Sequence, residues 1–202
     1  AAGQHAVWVA EDRVQLALAQ FIRSIQSFDT KYDVGRAQVN NENEDFPNFS
    51  AEENRGKALF MGRTQFNGQG SRIGGGLNCN QCHQAPEFSI DDNSRNNGVI
   101  GAINGGNDFT ITRSPSLREV FHPNGQDNGP FMHDGSLTTI NDVLSHYNDA
   151  IQDNQNLDRR LHPGGNPQRL TLTDEERRAV IAFLRTLTGQ EVYADERWAD
   201  PF

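Results

Sequence analysis

Apolar residues recur at spacings of three and four along much of the chain, and no run of strict alternation persuades us of a strand. Residues 4–27 place Val7, Val14, Ala17, Leu18, Phe21, Ile22 and Ile25 on one face of a predicted helix. Residues 29–48 are polar and irregular, end in Phe46-Pro47, and predict a loop. Ser50 followed by Glu53 has the form of a capping box, in which two side chains satisfy the free amides of a helix start. That helix runs through Ala58, Leu59 and Phe60 and stops at Gly62. A short helix is predicted over Pro115–Phe121. Thr139 with Asp142 starts another, burying Ile140, Val143, Leu144 and Tyr147. Thr173 with Glu176 caps a last helix through Val180, Ile181, Phe183, Leu184 and Leu187, with Gly189 placed to end it.

The segments between these helices are unusual. Residues 62–78 are rich in glycine, and residues 89–113 are rich in Asn and Gly with no period. A long structureless loop inside a compact domain is usually functional or mobile. The pattern predicts an all-α domain with long loops. It covers residues 1–189, and residues 190–202 form an acidic tail or linker.

The haem expectation rests on Cys79-Asn80-Gln81-Cys82-His83, a C-x-x-C-H pattern for c-type haem attachment. These are the only two cysteines among the 202 residues. A redox dithiol or half of a zinc site is the competing reading of C-x-x-C. A zinc site wants a second ligand pair at similar spacing, which the chain lacks, and a thioredoxin-like dithiol wants a βαβ context. His83 directly after the second cysteine favours haem, with His83 as the proximal ligand, so the all-α domain is expected to be cytochrome c-like, its long loops around one covalently attached haem. Hydrophobic content is 35%, low for a globular domain, and a buried porphyrin supplies apolar core that side chains need not. The net charge is −9, from 18 Lys and Arg against 27 Asp and Glu, which argues against nucleic acid and anionic membranes as partners. No apolar run is long enough for a membrane span. Bacterial c-type haem is attached outside the cytoplasm, so a periplasmic or secreted location is expected.

Several segments resemble one known family in order. They are Arg55-Gly56-Lys57-Ala58-Leu59-Phe60, the haem motif, Ser114-Pro115-Ser116-Leu117-Arg118-Glu119-Val120, Pro130-Phe131-Met132-His133-Asp134-Gly135-Ser136-Leu137, and Leu172-Thr173-Asp174-Glu175-Glu176 through Ala182–Gly189. Together they resemble the C-terminal haem domain of the bacterial di-haem cytochrome c peroxidase and MauG superfamily, from about Leu16 to Gly189. Family members carry two haem domains, each with its own C-x-x-C-H, whereas this chain carries one such motif. What the resemblance implies is the electron-receiving half, not the half that reduces peroxide.

The resemblance also points to a distal ligand. The peroxidases place Met, and MauG places Tyr, on the helix after the H-D-G motif, and the matching position is Tyr147. Met132 is the main alternative, with Met61, His122, His146 and His162 as further rivals. Arg113 and Arg118 are expected to pair with haem propionates through guanidinium hydrogen bonds. His133 is expected at a propionate or the haem edge. A calcium ion held by family backbone carbonyls maps near Asn128 and Pro130. The expected function is a mono-haem c-type cytochrome domain passing single electrons to a redox partner: a peroxidase domain, an extracellular copper enzyme or another cytochrome. The alternative is a haem peroxidase or MauG-like oxidase acting on peroxide at a Tyr-ligated or open site. Tyr147 and His146, or a loop acid such as Glu87, would then assist. A haem sensor for a small gas would need the same open position.

Overall fold

The structure is a computed structural model and describes residues 2–90, 93–102 and 104–199, with side chains from Glu11 onward except that of Ile90. Asp91, Asp92 and Ile103, part of the long loop, and the chain end at 200–202 lie outside the described residues, as does the side chain of Val7. The helices are α1 (Ala2–Ser24), α2 (Lys31–Arg36), α3 (Ala51–Met61), α4 (Ile140–Ser145), α5 (Asp174–Arg185) and α6 (Glu191–Ala194). Three of them start where the sequence places a capping box. Ser50 with Glu53, Thr139 with Asp142, and Thr173 with Glu176 all make both reciprocal hydrogen bonds. Thr30 with Asp33 caps α2 the same way, inside a segment expected to be loop.

The all-α expectation is corrected. Two antiparallel ribbons are present, β1 (Thr64–Phe66) with β2 (Arg72–Gly75) and β3 (His83–Gln84) with β4 (Ser89–Ile90). Both lie in the glycine-rich approach to the haem motif or just beyond it, where helix propensity is low. A Cβ on Gly76 would meet the Gly62 carbonyl at 2.4 Å, so only glycine lets the chain double back there. The helix expected over Pro115–Phe121 does not form. Glu119 takes a left-handed φ of 60°, and the Leu117 and Glu119 amides donate to Phe88 and Leu187 carbonyls instead of to their own turn. Residues 190–199, expected as an unstructured tail, contain α6 and a 3-10 turn. Asp29 accepts from the Gln190 and Glu191 amides, and Trp198 Nε1 donates to Ser24.

The core forms where α3 crosses α5. A Cβ on Gly56 would meet the Ala179 carbonyl at 1.9 Å, so glycine sets the close approach of the two helices. Around this crossing Tyr32, Phe46, Phe60, Phe88 and Phe183 stack at centroid distances of 4.8–6.3 Å, mostly edge-on or tilted. Lys57, on α3, is buried beneath the loop 37–49. Its Nζ donates to the Glu42 and Glu44 carbonyls at 2.6 Å and lies over the Phe46 ring. The stripe on α1 behaves differently from expectation. Val14, Leu18, Phe21, Ile22 and Ile25 are exposed, Ile22 by 66%. Periodicity reports an amphipathic helix but not what covers it.

Two polar networks hold the loops that face the interior. Arg118 pairs with Asp33 through two bonds at 2.7 and 2.9 Å, and its remaining N–H groups donate to the Ser27 and Pro86 carbonyls. Asn96, wholly buried, donates to the Thr110 carbonyl and accepts from the Gly98 amide and Asn154 Nδ2. Its amide and carbonyl bond Asn156 and Asp158, so residues 94–99 are fixed against residues 154–158.

Burial pushes the Asp33 carboxyl up, but the hydrogen bonds from Arg118 and Thr30 outweigh it and hold its pKa below the ordinary value. A depressed folded pKa gives stability that is present above the unfolded value and is lost as pH falls through the folded one. Asp33→Asn is therefore expected to cost about 3 kcal/mol in urea unfolding at neutral pH. The same substitution should cost little once the pH is low enough to protonate Asp33, and an undiminished loss there would contradict the ion-pair account. Asn96→Ala is expected to cost about 2–3 kcal/mol, since it leaves the Gly98 amide, the Thr110 carbonyl and Asn154 Nδ2 without this partner, and a loss below about 1 kcal/mol would show the loop is held otherwise.

Candidate haem site

The haem motif sits on one 3-10 turn, Cys79–Gln81, entered through Asn78 in a left-handed conformation with φ of 61°. The single turn is what the glycines before it and β3 after it leave room for. No disulfide joins Cys79 and Cys82. Burial, with the neighbouring Cys82, pushes the Cys79 thiol up to about 12. His83 follows at the start of β3. Its Nδ1 lies 3.1 Å from the Phe88 carbonyl and 3.0 Å from the Pro115 carbonyl. Both partners only accept, so Nδ1 carries the proton and Nε2 is left with the lone pair a metal needs. Burial lowers the His83 pKa and keeps the ring neutral.

His83 lines two adjoining cavities. The inner one is apolar, walled by Phe60, Leu77, Leu144, Leu170, Val180 and Leu184, and it reaches both cysteines. The outer one is more polar and carries Arg95, Arg113, Arg118, Met132 and His133. Tyr147 lines both. It sits in a π turn, His146–Ala150, that continues α4, and such turns are frequent at functional sites. Burial pushes the Tyr147 hydroxyl up to about 12, against the amide of Asn97, which favours the ionised form.

The other expected residues divide clearly. Met132, held at φ of 69°, accepts through Sδ from Asn97 Nδ2 at 3.3 Å. His133 lines the outer cavity with both ring nitrogens buried and lacking a hydrogen bond, 3.7 Å from the nearest carboxylate, Asp108. Arg113 lines the same cavity. Arg118 differs from expectation, because all its donors are engaged by Asp33, Ser27 and Pro86, and its side chain is only 7% exposed. It is a structural pin, and a propionate would have to displace those bonds. His146 lines neither cavity and donates Nε2 to the Asn97 carbonyl at 2.9 Å. Met61 ends α3 against the core, His122 stacks on Tyr193, His162 lies 3.4 Å from Asp153, and Glu87 accepts from Ser116 through its carbonyl. None of these four lines either cavity.

Asn128 and Pro130 line the outer cavity, and the Asn128 amide donates to the Glu119 carbonyl and Tyr193 hydroxyl. Among the described residues no group of three or more His, Cys, Asp or Glu is gathered as for a metal ion. Sequence reasoning missed Arg95, Asn97 and Arg160. Arg160 binds Asp158 and donates to the Gln81 carbonyl, bracing the motif turn, and Arg95 lines both cavities. Arg95 and Asn97 lie in a polar loop and Arg160 in a short 3-10 turn, Arg159–Leu161, with no period to single them out.

This arrangement fits a covalently held haem. Two thiols stand beside a neutral imidazole, an apolar cavity lies beyond them, and a polar rim with an unpartnered His133 adjoins it. Among the described residues no helix is long and apolar enough to cross a membrane.

No family model matches the chain. It is 28% identical over 191 residues to the methylamine utilization protein MauG of Methylorubrum extorquens, covering 88% of this chain and 44% of that protein. The MauG of Methylophilus methylotrophus is 25% identical, with 90% and 48% covered. The cytochrome-c peroxidase IdrP1 of Denitromonas iodatirespirans is 24% identical, with 91% and 52% covered. The chain thus spans about half the length of the curated relatives it matches. A solved MauG-like protein associated with microbial copper homeostasis shares the fold, with a TM-score of 0.52 at 24% identity over 87% of this chain and 56% of that one. The chain is thus similar, over most of its length, to MauG and to a cytochrome-c peroxidase, and these likenesses support a haem-based redox protein.

Proposed function

We propose that the chain is a mono-haem c-type electron-transfer domain, with thioethers from Cys79 and Cys82, His83 as proximal ligand and Tyr147 as distal ligand. The observation that carries this reading is His83, whose Nδ1 is fixed by two backbone carbonyls while its ring borders a cavity that Tyr147 also lines. The haem supplies one-electron chemistry when bound. The chain's own residues do the rest. The Phe88 and Pro115 carbonyls orient the imidazole and strengthen it as a donor. The apolar wall excludes water from the inner cavity. Arg95, Arg113 and His133 supply positive or donor character at the rim, where haem carboxylates would need it. A phenolate ligand stabilises the higher iron charge and sets a low potential, in contrast to Met. His146, whose ring centroid lies 5.1 Å from that of Tyr147, is tied to the Asn97 carbonyl, which disfavours a role in peroxide cleavage. The redox partner is a protein bearing a basic patch that answers the net charge of −9, and the location is periplasmic or secreted.

Two measurements test this. Acid–organic extraction should leave haem on the wild-type chain and on neither backbone after Cys79→Ala with Cys82→Ala; haem retained in the double variant would remove the thioether assignment. Optical and EPR spectra of the ferric and ferrous protein, with and without peroxide and CO, should show six-coordinate iron whose ferric signature changes in Tyr147→Phe. A His/Met spectrum would sink Tyr147 as ligand. Five-coordinate iron that reacts rapidly with peroxide would replace the carrier by an enzyme.

A further inference from the structure

A charged pair grips the turn that carries the two cysteines. Arg160 Nη1 donates at 2.8 Å to the carbonyl of Gln81, which lies between Cys79 and Cys82 in the chain. The same guanidinium holds Asp158 bidentately, Nε donating to Oδ1 at 2.8 Å and Nη2 to Oδ2 at 2.6 Å. The Asp158 carboxylate accepts two further bonds, from the Arg95 and Arg160 amides at 2.9 and 3.0 Å. Its own amide donates to the Asn96 carbonyl at 2.9 Å. Both side chains line the inner cavity together with Cys82 and His83, Asp158 at 7% exposure and Arg160 at 21%. An ion pair withdrawn this far from water gains little over apolar residues of the same size, because desolvation offsets the attraction. Stability therefore does not account for two charges in a largely apolar wall.

We propose that Asp158 and Arg160 set the midpoint potential of the haem, as two fixed charges of opposite sign in the wall of its cavity. The inference rests on the haem reading above and extends it from what holds the iron to what tunes it. Reduction adds an electron, so a nearby cation favours the reduced state and a nearby anion the oxidised state. In a wall of low dielectric such charges act more strongly than at a wet surface. Their effect also depends on their staying in place. Four hydrogen bonds fix the Asp158 carboxylate, so it is already oriented when the charge opposite it changes. The Gln81 bond ties the cation to the turn of both attachment cysteines, which fixes its place relative to the ring they hold.

The test is a redox titration of the haem-loaded protein, which reads a potential and not an activity. Arg160→Gln should lower the midpoint and Asp158→Asn should raise it, each by about a tenfold change in the reduction equilibrium, or about 60 mV for one electron. Arg160→Lys keeps the charge but loses the bidentate grip, so its reduction equilibrium should stay within about threefold of wild type while its urea stability falls. Glu175→Gln and Arg178→Gln, in an exposed pair on α5, are controls and should leave the midpoint unchanged. Should Asp158→Asn fail to fold, the contrast between Arg160→Gln and Arg160→Lys still decides. Midpoints that move the same way in Arg160→Gln and Asp158→Asn, or an Arg160→Lys midpoint that falls as far as that of Arg160→Gln, would reduce the pair to a brace and overturn the proposal. Shifts no larger than those of the surface controls, in a wild type that carries covalent haem, would overturn it and leave the haem reading intact. A wild type that takes up no haem would overturn both.

Discussion

Phe88 joins the core to His83 of the C-x-x-C-H motif, and much of the architecture depends on that junction. Its ring has no exposure and touches Tyr32, Phe60 and Phe183, so α2, α3 and α5 all meet on it. Its carbonyl accepts from His83 Nδ1 and from the Leu117 amide. The backbone pays with a φ of 52°, a conformation a bulky residue rarely adopts and one that costs about 1–3 kcal/mol. Asn78 before the motif turn and Met132 at the outer cavity are held in the same region. Strain of this kind persists only where the surroundings over-determine it. Here the aromatic cluster supplies that determination, so packing energy far from His83 fixes the orientation of its ring.

The two cavities differ in polarity, and that asymmetry orients an amphipathic ligand. Apolar side chains from α3, α4 and α5 wall the inner space, while the outer space gathers Arg95, Arg113 and His133. A flat group with an apolar body and two carboxylates can enter such a crevice in only one sense without burying charge in the apolar half. Arg118 belongs to the same rim but serves it indirectly. By binding Asp33, Ser27 and Pro86 it fixes the segment that presents the Pro115 carbonyl to His83.

What was legible in the sequence was local chemistry. The capping boxes at Ser50, Thr139 and Thr173 form because each needs only residues three apart, and the haem motif needs only five. What was not legible depends on partners distant in the chain. Arg118 reads as a propionate ligand until Asp33, 85 positions away, is seen to claim it. The Glu119 conformation, which stops the expected helix, answers contacts from Phe88 and Leu187 that no local pattern announces. Asn97 was invisible for another reason, because its neighbours are Asn and Gly and its backbone follows no period. Propensity predicts nothing distinctive there, and the loop's order comes from Asn96 bonding across to residues 154–158.

The π turn after α4 completes the physical logic of the distal side. Extending α4 as an ordinary helix would carry residue 147 onward at a rise of about 1.5 Å per residue and a turn of 3.6 residues. The wider turn inserts backbone instead, and the same stretch then receives two inward contacts: the Leu170 amide donates to the Asn148 carbonyl, and Gln168 Nε2 donates to the Tyr147 carbonyl. The carbonyls that the wider turn frees are therefore satisfied by the segment leading into α5, not by water. The backbone that carries Tyr147 is held by these bonds on one side, and His146 fastens it to the Asn97 carbonyl on the other. A turn held on two sides rearranges little, and small rearrangement is the property that the proposed electron transfer requires.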